Sequence, residues 1–402
     1  PTGLGHQQEP TAGGAGQRAL GDECRERRGE ERVYRVAALA QHSRTRLCGY
    51  RDARPANQEQ AMKRIAIFSD GTWNSPEQGG ATNVLKMTRA VSPTAEGISQ
   101  IAFYDWGVGT DRKKISGGIT GAGIDKNIMD CYRFLIHNYE EGDQIYLFGF
   151  SRGAYTARSL GGLIRNCGLL KREHADQIPE AYRLYRKRTK SSSPSAAEPS
   201  DFRKRYAVAD ITYIHFVGVW DTVGSLGIPV PFWGTLGEQE FLFHDTSPSK
   251  IILHARHAVA IDENRIDFAP TLWDNKPGFD LQQVWFAGVH SDVGGGYPEQ
   301  QLSDCACRWM VNQVSGFGLA FETHLLNDID EDNPDRTDAL HNERKGIYKL
   351  REDYTRPING AIHYSVKERW DADTQGYQSK SKAVRRLLNS VNGDWSKLTL
   401  VN

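Results

Sequence analysis

A serine between two glycines, Gly149-Phe150-Ser151-Arg152-Gly153, is the segment whose residue types and spacing most directly suggest chemistry. A serine hydroxyl is a weak nucleophile unless a base removes its proton and a carboxylate orients that base. The G-x-S-x-G pattern puts the serine on a strained turn between a strand and a helix, with its hydroxyl clear of the backbone. Glycine is needed at Gly149 and Gly153 because a side chain at either would run into the neighbouring strand or helix. Two glycines and a serine also recur by chance in a chain with 40 glycines, so the competing reading is an idle serine in a Gly-rich turn. Context favours the first. The apolar run Gln144-Ile145-Tyr146-Leu147-Phe148 precedes the pentapeptide, and Ala154 to Leu170, with Tyr155, Leu160, Leu163, Ile164 and Leu169 at helical spacing, follows it.

On such a turn the partners follow the serine in the order acid, then histidine, each just past a strand end. Asp221 follows the strand-like run Ile211 to Trp220, and His290 follows Gln283 to Val289. Other residues compete. His215 lies in an apolar strand and reads as core; His137 and His174 flank the wrong elements. His254 and His257 sit three apart on an expected helix, Lys250 to Ala260, where they would share a face, with no third ligand at metal spacing. Asp262 ends that expected helix and Asp292 is two residues from His290, so both are weaker orienters than Asp221. Asp292 is expected to support the site by bonding the loop Val293-Gly294-Gly295-Gly296. The oxyanion of a tetrahedral intermediate needs backbone N–H donors, one after the nucleophile and one from an early strand-to-loop turn. The expected donors are Arg152 and the Asp70-Gly71-Thr72 loop, through Gly71 or Thr72, with Asp70 behind them.

These residues must be held by a chain that alternates strand and helix. Ile65 to Ser69 reads as a buried strand ending in the turn formers Asp70-Gly71-Thr72-Trp73-Asn74, and Gln100 to Trp106 as another. Asp125 to Tyr139 has helical spacing and ends at Glu141-Gly142-Asp143 before the strand that leads to Ser151. The expectation is an α/β fold, a mostly parallel sheet with helices on both faces. Beyond residue 301 the pattern is helical, then polar from Asp328 to Arg344.

The chain has 402 residues, 50 basic and 50 acidic, so no global field draws in nucleic acid, and none is expected as a partner. No apolar stretch reaches the 18 or so residues of a spanning helix, and the first residues lack the pattern of a signal peptide, which favours a cytoplasmic protein or one secreted without a signal. The Cys at 24, 48, 131, 167, 305 and 307 have no regular spacing, so neither a disulfide framework nor a zinc site is indicated. Residues 1–61 hold ten Arg, no Lys, Ile, Phe or Trp, and eight acidic residues. They read as a disordered leader or upstream extension ahead of Met62, the rival being an Arg-rich binding arm or a targeting peptide, although the acidic residues argue against a transit peptide. The catalytic domain is expected at 62–325, with a low-complexity surface insertion near 189–201, and residues 326–402 as an extension packed on it.

Other signals lead less far. Phe68-Ser69-Asp70-Gly71-Thr72 is similar to the D-x-D-G-T of aspartyl-phosphate phosphatases, but Phe68 stands where the nucleophile would be. Gly117 to Gly123 is glycine-rich but lacks the Gly-Lys-Ser/Thr of a phosphate loop, so a flexible loop is expected there. Leu226 to Leu236 reads equally as packing or as a lid and acyl-chain wall. Basic residues at 183–190 and 203–205 read as a solvated face, the sharper alternative being transient contact with an anionic membrane surface.

Together, Ile-Phe-Ser-Asp-Gly-Thr-Trp-Asn at 67–74, Gly-Phe-Ser-Arg-Gly-Ala at 149–154, Val-Trp-Asp-Thr-Val-Gly at 219–224 and Gly-Val-His-Ser-Asp-Val-Gly-Gly-Gly-Tyr at 288–297 carry a family resemblance. The chain resembles the α/β-hydrolase family long catalogued as a domain of unknown function, whose characterised members include the first class of type VI secretion phospholipase effectors. The resemblance covers roughly 62 to 325. It implies an α/β-hydrolase fold, a serine-hydrolase triad carried onto Ser151, Asp221 and His290, and action on glycerophospholipid esters. The reading is a cofactor-free, metal-free ester hydrolase acting on a lipid or other ester. Its rivals are a small-molecule carboxylesterase, an idle binding protein on the same fold, and a metal-dependent hydrolase using Asp70, His290 and Asp292.

Overall fold

Short β-branched and aromatic runs, each closed by turn formers, become the strands of one sheet. A computed structural model describes residues 62–71, 80–107, 121–187, 189–223, 247–326 and 340–402. In chain order the strands are β1 (Lys63–Ser69), β2 (Thr94–Ala95), β3 (Ile98–Asp105), β4 (Gln144–Phe150), β5 (Ile214–Trp220), β6 (Ile252–Ala260), β7 (Asp280–Phe286), β8 (Ala361–His363) and β9 (Leu400–Val401). They lie in the order β2-β3-β1-β4-β5-β6-β7-β8-β9, and every neighbouring pair is parallel except β2 with β3. The helices are α1 (Asn83–Ala90), α2 (Gly121–Asn138), α3 (Arg152–Cys167), α4 (Ile178–Arg186), α5 (Ala197–Tyr206), α6 (His290–Gly294), α7 (Gln301–Ser315), α8 (Tyr364–Asp371), α9 (Tyr377–Lys380) and α10 (Lys382–Ser390).

Successive side chains of a strand point to opposite faces, so a strand covered on both faces must be apolar throughout. Ile65, Ile67, Ile145, Leu147, Val217 and Val219 face a core built with α2, α3 and α4. Their alternates, Ala66, Phe68, Tyr146, Phe148, Phe216 and Trp220, face a second core with α1 and α7, where Phe68 and Phe148 stack at 4.7 Å. A third cluster joins Val259, Trp285 and Ile362 to Tyr377, Val384 and Leu388, so the C-terminal residues extend both sheet and core.

Several expectations change. Lys250 to Ala260 is not a helix but strand β6, buried on both faces from Ala255 onward. Its apolar run therefore shows no alternation, and length alone suggested a helix. His254 and His257, three apart on a strand, fall on opposite faces. Asp262 consequently follows a strand end, not a helix. The segment 189–201, expected as a low-complexity surface insertion, holds a 3₁₀ turn at Lys190–Ser192 and the start of α5, with Ser192 and Pro199 buried. The strand before His290 ends at Phe286, earlier than expected. The leader 1–61, the loop Leu226 to Leu236, Thr72, most of Gly117 to Gly123 and most of Asp328 to Arg344 lie outside the described residues. Cys131, Cys167, Cys305 and Cys307 are free thiols. No described helix is long and apolar enough to cross a membrane.

Candidate active site

Parallel strands deliver their C-terminal ends, and the turns that follow, to one edge of a sheet. Phe150 of β4 is in register with Trp220 of β5, so Ser151 and Asp221 emerge side by side from adjacent strands, and Ser151 N–H donates to Trp220 O at 3.1 Å. Ser151 takes φ 58°, ψ −119°, a conformation that L-residues rarely adopt. It precedes α3 without capping it through its side chain, so Oγ is not spent on the helix. The flanking glycines are steric requirements. A Cβ on Gly153 would lie 2.0 Å from Ser69 O, and one on Gly149 would lie 2.3 Å from Gly153 O.

His290 arrives from two strands further along. Ile261 N–H donates to Phe286 O and Asp262 N–H to Gly288 O, tying the β6 and β7 exits together before α6 begins at His290. Gly288 has φ 115°, and a Cβ on it would lie 2.3 Å from Cβ of Asp292. His290 Nδ1 then lies 2.6 Å from Asp221 Oδ2. Its ring packs on Phe150, the residue before Ser151, at 4.6 Å between centroids, and meets the edge of Phe268 at 5.1 Å. The structure thus gathers Ser151, Asp221 and His290 at one edge of the sheet.

Asp221 is wholly buried. Burial on its own raises a carboxyl, but the Arg356 guanidinium and then His290 overcome it and hold Asp221 well below the usual carboxylate range. An ionised carboxylate only accepts, so in the His290–Asp221 hydrogen bond Nδ1 of His290 is the donor. Arg356 escaped the sequence reading. Its Nη1 and Nη2 donate to Asp221 Oδ1 and Oδ2 at 2.6 and 3.0 Å, and Ala260 N–H adds a bond to Oδ1 at 3.0 Å. Glu263 was also missed; it accepts from His290 N–H at 3.3 Å and from Arg265.

The other expected residues are placed as follows. Asp70 is buried and accepts from Thr82 Oγ1, from Tyr104 O–H at 2.8 Å and from Gly71 N–H at 2.7 Å. Gly71 N–H is therefore engaged by Asp70, and an oxyanion would have to compete with that carboxylate for it. Arg152 N–H sits at the α3 N-terminus, where helical N–H groups have no intrahelical acceptor. Burial lowers the Arg152 guanidinium to about 9. Asp292 does not bond the glycine loop as expected. It accepts from Val289 N–H at 3.0 Å and pairs with His341 Nδ1 at 2.6 Å, because the α6 turn brings its carboxylate back towards residue 289. Asp70, His290 and Asp292 thus have separate partners, and among the described residues no group of three or more His, Cys, Asp or Glu could hold a metal ion.

Residues 63–313 match the family described as T6SS, Phospholipase effector Tle1-like, catalytic domain. An uncharacterized protein of Saccharomyces cerevisiae, YEL023C, is 30% identical over 241 residues, which is 55% of this chain and 34% of that protein. Among solved structures, an uncharacterized protein from Pseudomonas aeruginosa is 17% identical with a TM-score of 0.40, over 75% of this chain and 49% of the other. The Tle1 effector, solved bound to the VgrG spike of the type 6 secretion system, is 20% identical with a TM-score of 0.36, over 59% and 51%.

Proposed function

The chain belongs to the family of Tle1-like catalytic domains of type VI secretion phospholipase effectors, and on that premise we propose that it hydrolyses carboxylic esters, foremost the acyl esters of glycerophospholipids. Ser151 is the nucleophile, His290 the base and Asp221 its orienting carboxylate. Attack of Oγ on the ester carbonyl forms the new C–O bond while the hydroxyl proton passes to His290 Nε2. The carbonyl oxygen becomes an oxyanion, met by the N–H of Arg152 and by a donor from the loop after β1. Collapse breaks the bond to the alcohol, which leaves with the proton from His290. Water then repeats the sequence on the acyl-serine and releases the carboxylic acid.

The observation that carries this reading is the Nδ1 to Oδ2 distance of 2.6 Å between His290 and Asp221, beside a serine held at φ 58°. The family description supports phospholipid as the substrate class. The test is fatty-acid release from phosphatidylcholine and phosphatidylglycerol vesicles, beside p-nitrophenyl esters of short and long chains. Ser151→Ala, verified as folded, should lose activity by about 10³-fold or more. Equal activity in that variant contradicts the proposal, and hydrolysis of soluble esters alone moves the substrate away from lipid.

A further inference from the structure

We propose that Arg356 is a positioning residue of this catalytic centre, fixing the orientation and charge of Asp221, and that the strap 340–356, beyond the family-matched stretch 63–313, is thereby part of the active site. The inference rests on the reading of Ser151, His290 and Asp221 as a triad. The Arg356 guanidinium is fully buried, grips both oxygens of Asp221 and donates as well to Ala260 O at 2.7 Å and Phe268 O at 2.5 Å. With its fork fixed on two backbone carbonyls, it turns the carboxylate so that Oδ2 faces His290 Nδ1. A planar fork can do this and a lysine ammonium cannot. A buried carboxylate facing only an imidazole would also lack a full counter-charge, a costly state.

The strap is itself docked on the loops that carry His290. Tyr354 N–H donates to Asn264 O at 3.0 Å, the backbones of Asp353 and Arg265 form an antiparallel β-bridge, His341 pairs with Asp292, and Tyr297 O–H donates to Glu343 at 2.6 Å. Among the described residues, the charged and titratable groups around the couple include Arg356 and His257 about Asp221, with Arg158 acting on His257, and Glu263, Asp292 and Arg265, the last over Phe268, about His290. Arg356 is the cation bonded directly to the carboxylate. Removing it makes the protonated imidazole easier to form beside Asp221, so the acidic limb of kcat/KM should move to higher pH.

The test uses the full chain with Arg356→Met, Arg356→Lys, Asp221→Asn and the double variant Asp221→Asn with Arg356→Met. Arg356→Met is expected to lower kcat about 10²-fold with KM nearly unchanged, and to move the acidic limb up by about one pH unit. Arg356→Lys, which keeps the charge and loses the fork, should return the limb and restore kcat only in part. In the Asp221→Asn background the Arg356→Met change should cost less than about threefold, because it acts through Asp221. Unchanged kcat and limb in Arg356→Met, or losses that multiply independently in the double variant, overturn the proposal. Should Arg356→Met not fold, Arg356→Lys decides, with a kcat loss of about tenfold supporting the fork and unchanged kcat contradicting it. A native chain with no ester hydrolysis at all would instead sink the triad reading beneath it.

Discussion

Ser151 keeps a backbone conformation that costs on the order of 1–3 kcal/mol for a non-glycine residue, and its neighbours must over-determine it. Gly153 is one of them. A Cβ there meets Ser69 O at 2.0 Å, Ser69 C at 2.4 Å and Asp70 O at 2.7 Å, all backbone atoms that no rotamer change can move. Gly153→Ala should therefore lose about 3 kcal/mol or more, read as a fall in the urea midpoint, and an unchanged midpoint would contradict the close approach of α3 to β1. The serine and its glycines were legible because a strained turn admits few residue types. Asp221 and His290, singled out by chain order, lie 2.6 Å apart. Arg356 was not, because no periodicity or spacing rule links a basic residue in a mixed tail to a carboxylate 135 residues earlier. His341 on Asp292 was hidden for the same reason.

Elements differ in how clearly the chain announces them. β1, β4 and the helix after Ser151 combine an apolar run or a 3.6-residue period with a turn former, and they fall where expected to within a few residues. β6 was misread because a strand covered on both faces loses its alternation, and the Ala and His within it mimic a helix. The α1 cap shows how an element and the site share atoms. Thr82 Oγ1 accepts from Leu85 N–H at 3.1 Å as the N-cap and donates to Asp70. Thr82→Ala should cost about 1–2 kcal/mol, measured by urea denaturation; a stability equal to the native chain would show that neither bond matters. The C-terminal strands β8 and β9 were read only as an extension, since each spans two or three residues and carries no pattern of its own.

Across the whole molecule, the buried Asp221 and the half-buried Asp105 set opposite pH dependences. Asp221, depressed by Arg356 and His290 against its burial, contributes stability that is present above pH about 4 and lost as pH falls below it. Asp105 does the reverse. Burial, against the Ser69 hydroxyl, pushes it up to about 7, so its contribution is complete below pH about 4 and lost as pH rises through 7. Asp105→Asn should match the native chain near pH 4 and exceed it increasingly up to pH 8, by at most about 4 kcal/mol. A gain that is independent of pH would contradict that assignment.

The central claim is that Ser151 is an activated nucleophile, and intact-mass analysis after exposure to a fluorophosphonate tests it most directly. The native chain should take one adduct, lost in Ser151→Ala and strongly slowed in His290→Ala, with both variants verified as folded. A folded native chain that takes no adduct, with and without phospholipid vesicles present, would contradict the account.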